Sequence, residues 1–504
     1  MNASKRELLW VTGLFTALTL VFTWPVVTHL GSEVPTGDLE IDVIHLLYGV
    51  SWGTHALATQ PLHYFDANIF HPYTNALAFM EHMFGIAVLA APVNWITGNF
   101  MAGYSVAWLL TFILSGLGAY LLTRYLTGSV AAGLLAGVIF AFSPFRYHNA
   151  GLINVLATMW IPFALLSLHL WVQTRSRTQL VLLWGFAVGQ FLCSGYAAVF
   201  LLFSVFVYVA VWAVMAWREL LAFLRQELWA LLAAVVAGVL VALPFVLPYL
   251  GHAGDDVGFQ RDLIEATYYS AHPLDFITPG GFLGALVPWA GSALHPLFPG
   301  LVAVLLASVW CIRSRRARVK NRELWFCLAL GLVAAVMTLG PEKNGVPLPF
   351  TLVWHGFPGG SFVRAPVRFA VLTSLAISVL AGAGLAHVLK GTTRRQAWSA
   401  LAVLAACVEL LHVPVRVFNP LPHGVPAVYT WLGSLSGPVV VTEYPMPASE
   451  AEEAPEYGRA MLYALHHKKQ LTDGSAAFVP PITRDLRTAM QGFPDDASVA
   501  RLRD

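Results

Sequence analysis

Charged residues are scarce in this sequence. Only 11% of its 504 residues are Asp, Glu, Lys or Arg, whereas 57% are hydrophobic and the mean hydropathy is +0.67. A soluble domain carries about 25% charged residues. The composition therefore excludes a soluble α/β enzyme and a disordered chain, and it predicts a polytopic membrane protein.

Cysteine, a dominant charge and the common catalytic motifs are also lacking. The four cysteines lie in apolar runs without CxxC or Cys/His spacing, which argues against a disulfide framework and predicts no metal site. Lys and Arg number 29 against 27 Asp and Glu, without the basic excess of a nucleic-acid partner. No GxxxxGK[ST], GxGxxG or HExxH motif is present, which argues against nucleotide-driven transport and zincin-type proteolysis.

Long uncharged runs are what the sequence does contain. A bilayer core needs about 20 apolar residues per helix. Runs near that length lie at about 8–29, 101–123, 128–143, 155–173, 179–194, 196–216, 229–249, 298–312, 324–340, 367–389 and 397–413. The shorter run 84–97 is interrupted by Pro92, so we expect a re-entrant or interfacial helix there. The sequence thus predicts an all-α membrane protein with about eleven transmembrane helices.

Basic residues orient these helices. The cluster from Arg313 to Arg322 and the Lys5-Arg6 pair belong in the cytoplasm under the positive-inside rule. We therefore predict a multi-pass inner (plasma) membrane protein with its N-terminus cytoplasmic and its C-terminus extracytoplasmic. Residues 1–413 form the transmembrane domain, including a large first outer loop at 30–100.

The last part of the chain, 414–504, has a different pattern. Gly437 to Tyr444 is typical of a strand after a turn, and Tyr457 to Lys469 is typical of a helix. We predict a small extracytoplasmic α/β module here. Because the chain stops just after a helix-like segment, where another strand is expected, we also expect this module to be incomplete.

The first outer loop carries the best candidates for chemistry. Three acids, Asp38, Glu40 and Asp42, follow the first helix within five positions, and Glu81-His82 lies later in the loop. At a membrane surface, partial desolvation raises the pKa of a carboxyl group toward the range useful to a general base. The alternative interpretation is a solvated loop that keeps the helix end wet.

Arginines at the predicted outer face run against the positive-inside bias. Arg146 and His148 lie at one helix end, and Arg364 and Arg368 are spaced so that both can lie on one helix face. A guanidinium binds phosphate through two parallel hydrogen bonds, so these residues could clamp a lipid phosphate. The alternative is ordinary snorkelling to lipid headgroups. Glu409, near the outer end of the last apolar run, is expected to make a structural hydrogen bond.

Three segments carry a family resemblance. The sequences FDANIFHP at 65–72, FSPFR at 142–146 and RAPVRF at 364–369, together with a large outer loop opening on Gly37-Asp38, resemble the GT-C superfamily of membrane glycosyltransferases. Within that superfamily, the three segments resemble a bacterial branch related to the YfhO-like and dolichyl-phosphate-mannose-type transferases. It covers most of the membrane part and, more loosely, residues 414–504.

The resemblance implies an extracytoplasmic reaction. Enzymes of this type transfer a sugar from a polyprenyl-phosphate donor to a lipid, glycan or protein acceptor. The base would be Asp38, with Asp42 as the alternative, because the chain has Asp-Leu-Glu-Ile-Asp rather than an adjacent acidic pair. Arg364, Arg368 or Arg146 would stabilise the leaving phosphate in an inverting displacement. A divalent cation is not required, although some relatives use one.

The remaining polar residues and two rival functions complete the expectations. Glu40, Glu81, His82 and His148 are predicted to contact substrate. A non-catalytic scaffold or assembly protein would explain the hydrophobicity equally well, and a lipid or solute transporter is the other alternative. The transferase requires Asp38 or Asp42 to lie near the outward arginines, whereas a scaffold does not.

Overall fold

The computed structural model describes residues 4–37, 40–252, 263–280, 284, 294–317, 322–343, 345–448 and 455–503. Helices dominate this part of the chain. In order they are α1 (Lys5–Phe22), α2 (Glu40–Thr59), α3 (Phe84–Thr97), α4 (Phe100–Thr127), α5 (Val130–Ala141), α6 (Pro144–His148), α7 (Ile153–Leu156), α8 (Trp160–Thr174), α9 (Arg177–Cys193), α10 (Gly195–Gly251), α11 (Leu263–Tyr268), α12 (Leu301–Ala317), α13 (Arg322–Thr338), α14 (Phe350–Gly356), α15 (Ala370–Val388), α16 (Arg395–Leu410), α17 (Ala427–Ser434), α18 (Pro455–His467), α19 (Pro481–Met490) and α20 (Asp496–Arg503).

Each of the eleven predicted apolar runs contains a helix. Two neighbouring runs lie in the single long helix α10, whose backbone breaks at Ala216 (φ −158°, ψ 58°). Within the described residues, five helical stretches are long and apolar enough to cross a membrane, namely Phe100–Thr127, Val130–His148, Ile153–Thr174, Gly195–Gly251 and Pro366–Val388. The count of eleven transmembrane helices therefore stays a prediction.

Local capping sets several helix boundaries. The Asn99 side chain accepts a hydrogen bond from the Ala102 amide at the start of α4, and that helix ends at Gly128 in the left-handed conformation. Ser129 then accepts from the Ala132 amide and starts α5. Side-chain caps satisfy amides that the first helical turn leaves without partners. A Gly-Ser pair thus turns the chain sharply between two packed helices.

Small residues bring α15 very close to its neighbours. A Cβ on Gly384 would lie 1.8 Å from the Leu306 carbonyl oxygen of α12, and one on Gly382 would lie 2.7 Å from the Ala132 carbonyl oxygen of α5. No side chain fits at these distances. Contact between helix backbones is how membrane helices gain packing energy without a hydrophobic driving force.

Glu409 joins α16 to the first turn of α12. Its two carboxylate oxygens accept the backbone amides of Leu301 and Val302, the latter at 3.1 Å. A carboxylate at a helix N-terminus satisfies free amides and complements the helix dipole. The structural hydrogen bond expected of this residue is present.

The first loop (residues 30–100) and the tail (residues 414–504) pack together. Strand β1 (Val34–Pro35) pairs antiparallel with β4 (Val417–Phe418), with Val34 opposite Phe418. Gly458 of α18 lies against Ile44 of α2, where a Cβ would come within 2.9 Å of the Ile44 side chain. These contacts hold α2 between the helical bundle and the tail.

Asn68 joins the same two regions by hydrogen bonds. Its amide nitrogen donates to the carbonyl oxygens of Ala464 and Lys469, each at 3.0 Å, and its amide oxygen accepts from the Tyr48 hydroxyl at 2.8 Å. The Asn68 carbonyl also accepts the Leu471 amide at 3.0 Å. One side chain therefore ties α2, the first loop and the tail together.

The remaining strands are short. Strands β2 (Glu342–Lys343) and β3 (Val346–Pro347) form a hairpin, and β5 (Val440–Val441) pairs in parallel with β6 (Gln470–Leu471). Strand β5 lies inside the predicted strand at 437–444, and α18 covers most of the predicted helix at 457–469. That the tail is a separate α/β module stays a prediction.

Candidate functional site

The acidic segment lies at the start of α2. Glu40 and Asp42 occupy the first turn of this helix; Glu40 is exposed and Asp42 is half-buried. Asp38 lies outside the described residues. Gly37, directly before it, lies against the loop after α6, because a Cβ on Gly151 would come within 2.7 Å of the Gly37 amide nitrogen.

Asp42 lies within electrostatic reach of two arginines. Burial raises the pKa of Asp42 above its ordinary value, and the positive charges of Arg364 and Arg368 partly lower it again. Desolvation and nearby opposite charge act in opposite directions on a carboxyl group. The first turn of α2 and the Arg364–Arg368 segment, far apart in sequence, are thus brought together.

Arg364 is held by several groups. Its Nη1 donates to Oε1 of Glu265 at 3.1 Å, and its backbone amide donates to the Tyr196 hydroxyl at 3.3 Å. Its guanidinium also lies over the Tyr269 ring, 5.6 Å from the centroid. A fixed, partly compensated guanidinium can orient an anion and still retain hydrogen-bond donors for it.

Arg368 differs from Arg364 because the hydrogen-bond donors of its guanidinium are not used by the described residues. Arg368 is half-buried, and its guanidinium lies 4.8 Å from the Tyr196 ring centroid. The guanidinium forms no hydrogen bond or ion pair with the residues that the structure describes. Asp42 and Glu81 both act on it electrostatically. A guanidinium in this state can bind an anionic ligand without first breaking an internal hydrogen bond.

Glu81 has two partners already. Its Oε2 accepts from the Asn154 side chain at 2.7 Å, and its Oε1 accepts from the Gly195 amide at 2.6 Å. The second bond caps the first turn of α10. Glu81 thereby fixes the end of α10 that carries Tyr196, the residue that contacts both arginines.

His82, Arg146 and His148 lie in other surroundings. Burial among aromatic rings lowers the pKa of His82 to about 4, and its Nδ1 accepts the Phe84 amide at 3.2 Å. Arg146 is 1% exposed, and its guanidinium donates to Thr111, Thr158 and the Leu156 carbonyl. His148 instead contacts His295, with 3.3 Å between ring nitrogens. Their contacts are structural.

An apolar groove of about 840 Å³ begins near the arginines. It lies between α10, α13 and α14 and is lined almost wholly by apolar side chains. Phe203 lines it and packs against Phe369, the neighbour of Arg368, with ring centroids 5.1 Å apart. Val214 and Leu352 line it while remaining 88% and 76% exposed, so the groove opens at the surface of the bundle.

The groove and the arginines share α10. Tyr196 precedes Phe203 by seven residues, which corresponds to two helical turns or about 10 Å of rise. The groove then continues along α10 to Met215. An anionic group at Arg368 and an apolar chain in the groove could therefore belong to a single ligand.

The described residues contain no ligand set for a metal ion. Among them, no three His, Cys, Asp or Glu side chains come together as a divalent cation would require. Both oxygens of Glu81 are engaged by Asn154 and Gly195.

Three residues of this site were not predicted from the sequence. Tyr196, Glu265 and Asn154 hold the two arginines and Glu81 in place. The Cys193-Ser194-Gly195-Tyr196 interruption between two apolar runs is the local signal for a helix start at Gly195, next to Tyr196. Glu265 and Asn154 carry no pattern that would have identified them, because their partners lie far away in the sequence.

Comparison with known proteins yields structural likeness only, since no family model and no curated protein matches the chain. It resembles the apo crystal structure of the oligosaccharyltransferase of Archaeoglobus fulgidus at 13% identity and a TM-score of 0.52. The same enzyme in complex with Zn and sulfate matches at 14% identity and a TM-score of 0.51. The two alignments cover 94% and 93% of this chain but 65% and 62% of the neighbour.

A weaker likeness, with a TM-score of 0.43, is to ArnT from Cupriavidus metallidurans bound to undecaprenyl phosphate, at 15% identity over 98% of this chain and 72% of that one. That score supports no conclusion about this chain. The oligosaccharyltransferase likeness shows the fold alone. Together with the long apolar helices, it shows an integral membrane protein with the fold of this archaeal oligosaccharyltransferase.

Proposed function

We propose that the chain is an inverting membrane glycosyltransferase. It moves a sugar from a polyprenyl-phosphate donor to a lipid, glycan or protein acceptor on the extracytoplasmic face. The proposal includes eleven transmembrane helices in the inner membrane, a cytoplasmic N-terminus and an extracytoplasmic tail. The scaffold and transporter interpretations are its rivals.

The observation that carries the proposal is that the half-buried Asp42 lies within electrostatic reach of Arg364 and Arg368. A scaffold has no need for a partly desolvated carboxyl group next to a guanidinium that lacks hydrogen-bond partners among the described residues. A group-transfer site needs both, because one group removes a proton and the other stabilises the negative charge that develops on the leaving group.

The apolar groove supports the choice of a lipid donor. Its lining offers almost no polar surface. Arg368, which favours an anion, contacts Tyr196, and Tyr196 lies two helical turns before the groove residue Phe203 on α10. A polyprenyl chain lying along α10 between Phe203 and Met215 would bring its phosphate to Arg368. Most of the donor's binding energy would then come from apolar burial, and its orientation from the guanidinium pair.

The transfer itself is a single displacement. The carboxylate of Asp42, or of Asp38, takes the proton of an acceptor hydroxyl, and the hydroxyl oxygen forms a bond to the anomeric carbon. The bond from that carbon to the phosphate oxygen breaks, and the lipid phosphate leaves with the electron pair. Arg364 and Arg368 stabilise the additional negative charge, and attack opposite the leaving group inverts the anomeric centre.

The test uses membranes containing the full chain and radiolabelled polyprenyl-phosphate sugars. We expect Asp42→Asn or Asp38→Asn to lower transfer by about 10²–10⁴-fold, the usual contribution of a general base. Arg368→Ala should lower it by about 10²–10³-fold, as does loss of one group that stabilises transition-state charge. Arg218→Ala, at an exposed arginine remote from the site, is the matched control.

Two results would overturn the proposal. Labelled donor that fails to bind the wild-type protein would favour the scaffold. Donor that binds and crosses the membrane, with no label transferred in the presence of native acceptors, would favour the transporter.

A further inference from the structure

The tail contains a cavity that the proposed transfer chemistry does not use. It has a volume of about 380 Å³ and lies between β5, β6, α18 and α19. Its lining includes Glu443, Tyr444, Tyr457, Asp473, Ser475 and Arg487. This volume is within the range of small-molecule sites, at its lower end.

The two carboxylates of the cavity keep hydrogen-bonding capacity. Oδ1 of Asp473 accepts from Arg487 at 2.9 Å and from the Gly474 amide at 2.7 Å, but Oδ2 accepts nothing from the residues that the structure describes. Oε1 of Glu443 is buried and has no hydrogen-bond partner among the described residues. A buried acceptor of this kind is costly unless a ligand or water satisfies it.

The electrostatics of the cavity restrict its ligand. Burial raises the pKa of both carboxyl groups, and the charge of Asp473 raises the pKa of Glu443 further, whereas Arg487 lowers the pKa of Asp473. The two acids and one arginine leave at most one net negative charge. An anionic ligand is therefore disfavoured, and a neutral molecule rich in hydroxyl donors suits the unused carboxylate oxygens.

Aromatic surface supplies the second requirement. The Tyr444 ring is 54% exposed and rests on Phe493, with 5.2 Å between ring centroids. Tyr457 lines the cavity from α18. The electron-rich face of an aromatic ring attracts positively polarised C–H groups, such as those on one face of a sugar ring.

The cavity is one helix away from Asp42. Helix α18 contributes Tyr457 and Ala460 to the lining, and between them Gly458 packs against Ile41 and Ile44 of α2. We propose that the cavity binds a carbohydrate through its hydroxyl groups and one apolar ring face. We further infer that this carbohydrate is the acceptor glycan, and this second part rests on the proposed function.

The test measures sugar binding without any donor. Saturation-transfer difference NMR is recorded on the detergent-solubilised full chain with methyl glycosides of common hexoses and N-acetylhexosamines. We expect saturation of the ring protons of at least one glycoside. Glu443→Gln should raise the Kd by about tenfold, as for loss of one hydrogen bond to a charged group. Tyr457→Ala should raise it by about fivefold, as for loss of one aromatic contact. Glu219→Gln, at an exposed glutamate of α10, is the matched control and should leave it unchanged.

The outcomes of this experiment distinguish failure of the carbohydrate site from failure of the proposed function. If no glycoside receives saturation, or if the cavity variants bind the glycoside as tightly as the Glu219→Gln variant, the carbohydrate site is refuted. Binding that survives while Arg368→Ala has no effect on transfer would refute the proposed function and leave the site intact. Transfer that persists without any glycoside binding would do the reverse.

Discussion

Asp42 is subject to two opposing effects at the residue scale. Burial raises the pKa of its carboxyl group, while Arg364 and Arg368 lower it. A base with a raised pKa takes up a proton from an acceptor more readily, but it must be ionised before it acts. The arginines therefore favour the charged form of Asp42 in a site that burial makes less favourable for charge.

This balance predicts a pH dependence. If Asp42 is the base, transfer should fall as the pH drops through its folded pKa, which lies above the ordinary value. Arg364→Gln removes a nearby positive charge, so the pKa of Asp42 should rise further and the acidic limb should move to higher pH. Rate profiles of transfer for wild type, Arg364→Gln and the control Arg218→Ala provide the measurement. An acidic limb that does not move would assign the role to another group, with Asp38 the first to examine.

Substitutions at the two arginines should differ in their effect on stability and agree in their effect on transfer activity. The Arg368 guanidinium has no hydrogen bond or ion pair with the described residues and loses only its contact with the Tyr196 ring, so Arg368→Ala should lower the free energy of unfolding by about 0.5 kcal/mol. Arg364→Ala breaks the pair with Glu265 and should cost about 1 kcal/mol. Thermal unfolding in detergent measures this difference, and transfer assays on the same samples should show that both variants lose activity. Equal destabilisation by the two substitutions would contradict this interpretation.

At the scale of single elements, Glu409 makes α12 depend on α16. Glu409→Ala leaves the amides of Leu301 and Val302 without their carboxylate and should destabilise the protein by about 1–2 kcal/mol. Glu219→Ala, at an exposed position, is the control for loss of a glutamate. The comparison is made by thermal unfolding of the two variants, and an equal effect would mean that the cap contributes nothing.

Asn68 is the corresponding link between the first loop and the tail. Tyr48→Phe removes one of its three side-chain hydrogen bonds and should cost about 1 kcal/mol. Asn68→Ala removes all three and leaves buried partners unsatisfied, so we expect a loss of about 2–3 kcal/mol. Limited proteolysis of the full chain should release the tail faster in the order wild type, Tyr48→Phe, Asn68→Ala. The reverse order would show that the tail is held by other contacts.

Elements were predictable where one local cause decides them. Apolar runs near membrane-spanning length gave helices such as α4 and α15, and the interrupted run 84–97 gave α3 at almost the same bounds. The runs at 196–216 and 229–249 lie in one long helix, whose backbone breaks at Ala216, the last residue of the first run. The four helical residues of α7 carried no such signal, because their conformation depends on packing after the turn at Gly151.

At the scale of the whole molecule, the sequence could not reveal which outer segments meet. It indicated Asp42, Arg364 and Arg368 as candidates, but Tyr196 and Glu265 bring the arginines to this place through contacts 168 and 99 residues apart. The sequence predicted the tail as a separate module next to the transmembrane domain. Its pairing with the first loop through β1 and β4 depends on long-range contacts that no local pattern encodes.

The open side of the apolar groove determines which concentration of the proposed donor controls the rate. Val214 and Leu352 face outward along it, so the polyprenyl chain of the proposed donor would enter sideways from the surrounding leaflet without passing through water. If the chain is the proposed transferase, the quantity that saturates it is then the donor per unit of membrane area. Diluting proteoliposomes with buffer should leave the rate unchanged at fixed lipid composition, whereas diluting the donor with inert lipid should lower it. The rate of the proposed transferase would therefore depend on the density of the donor in the membrane, and a change in the surrounding lipid mixture would change that rate.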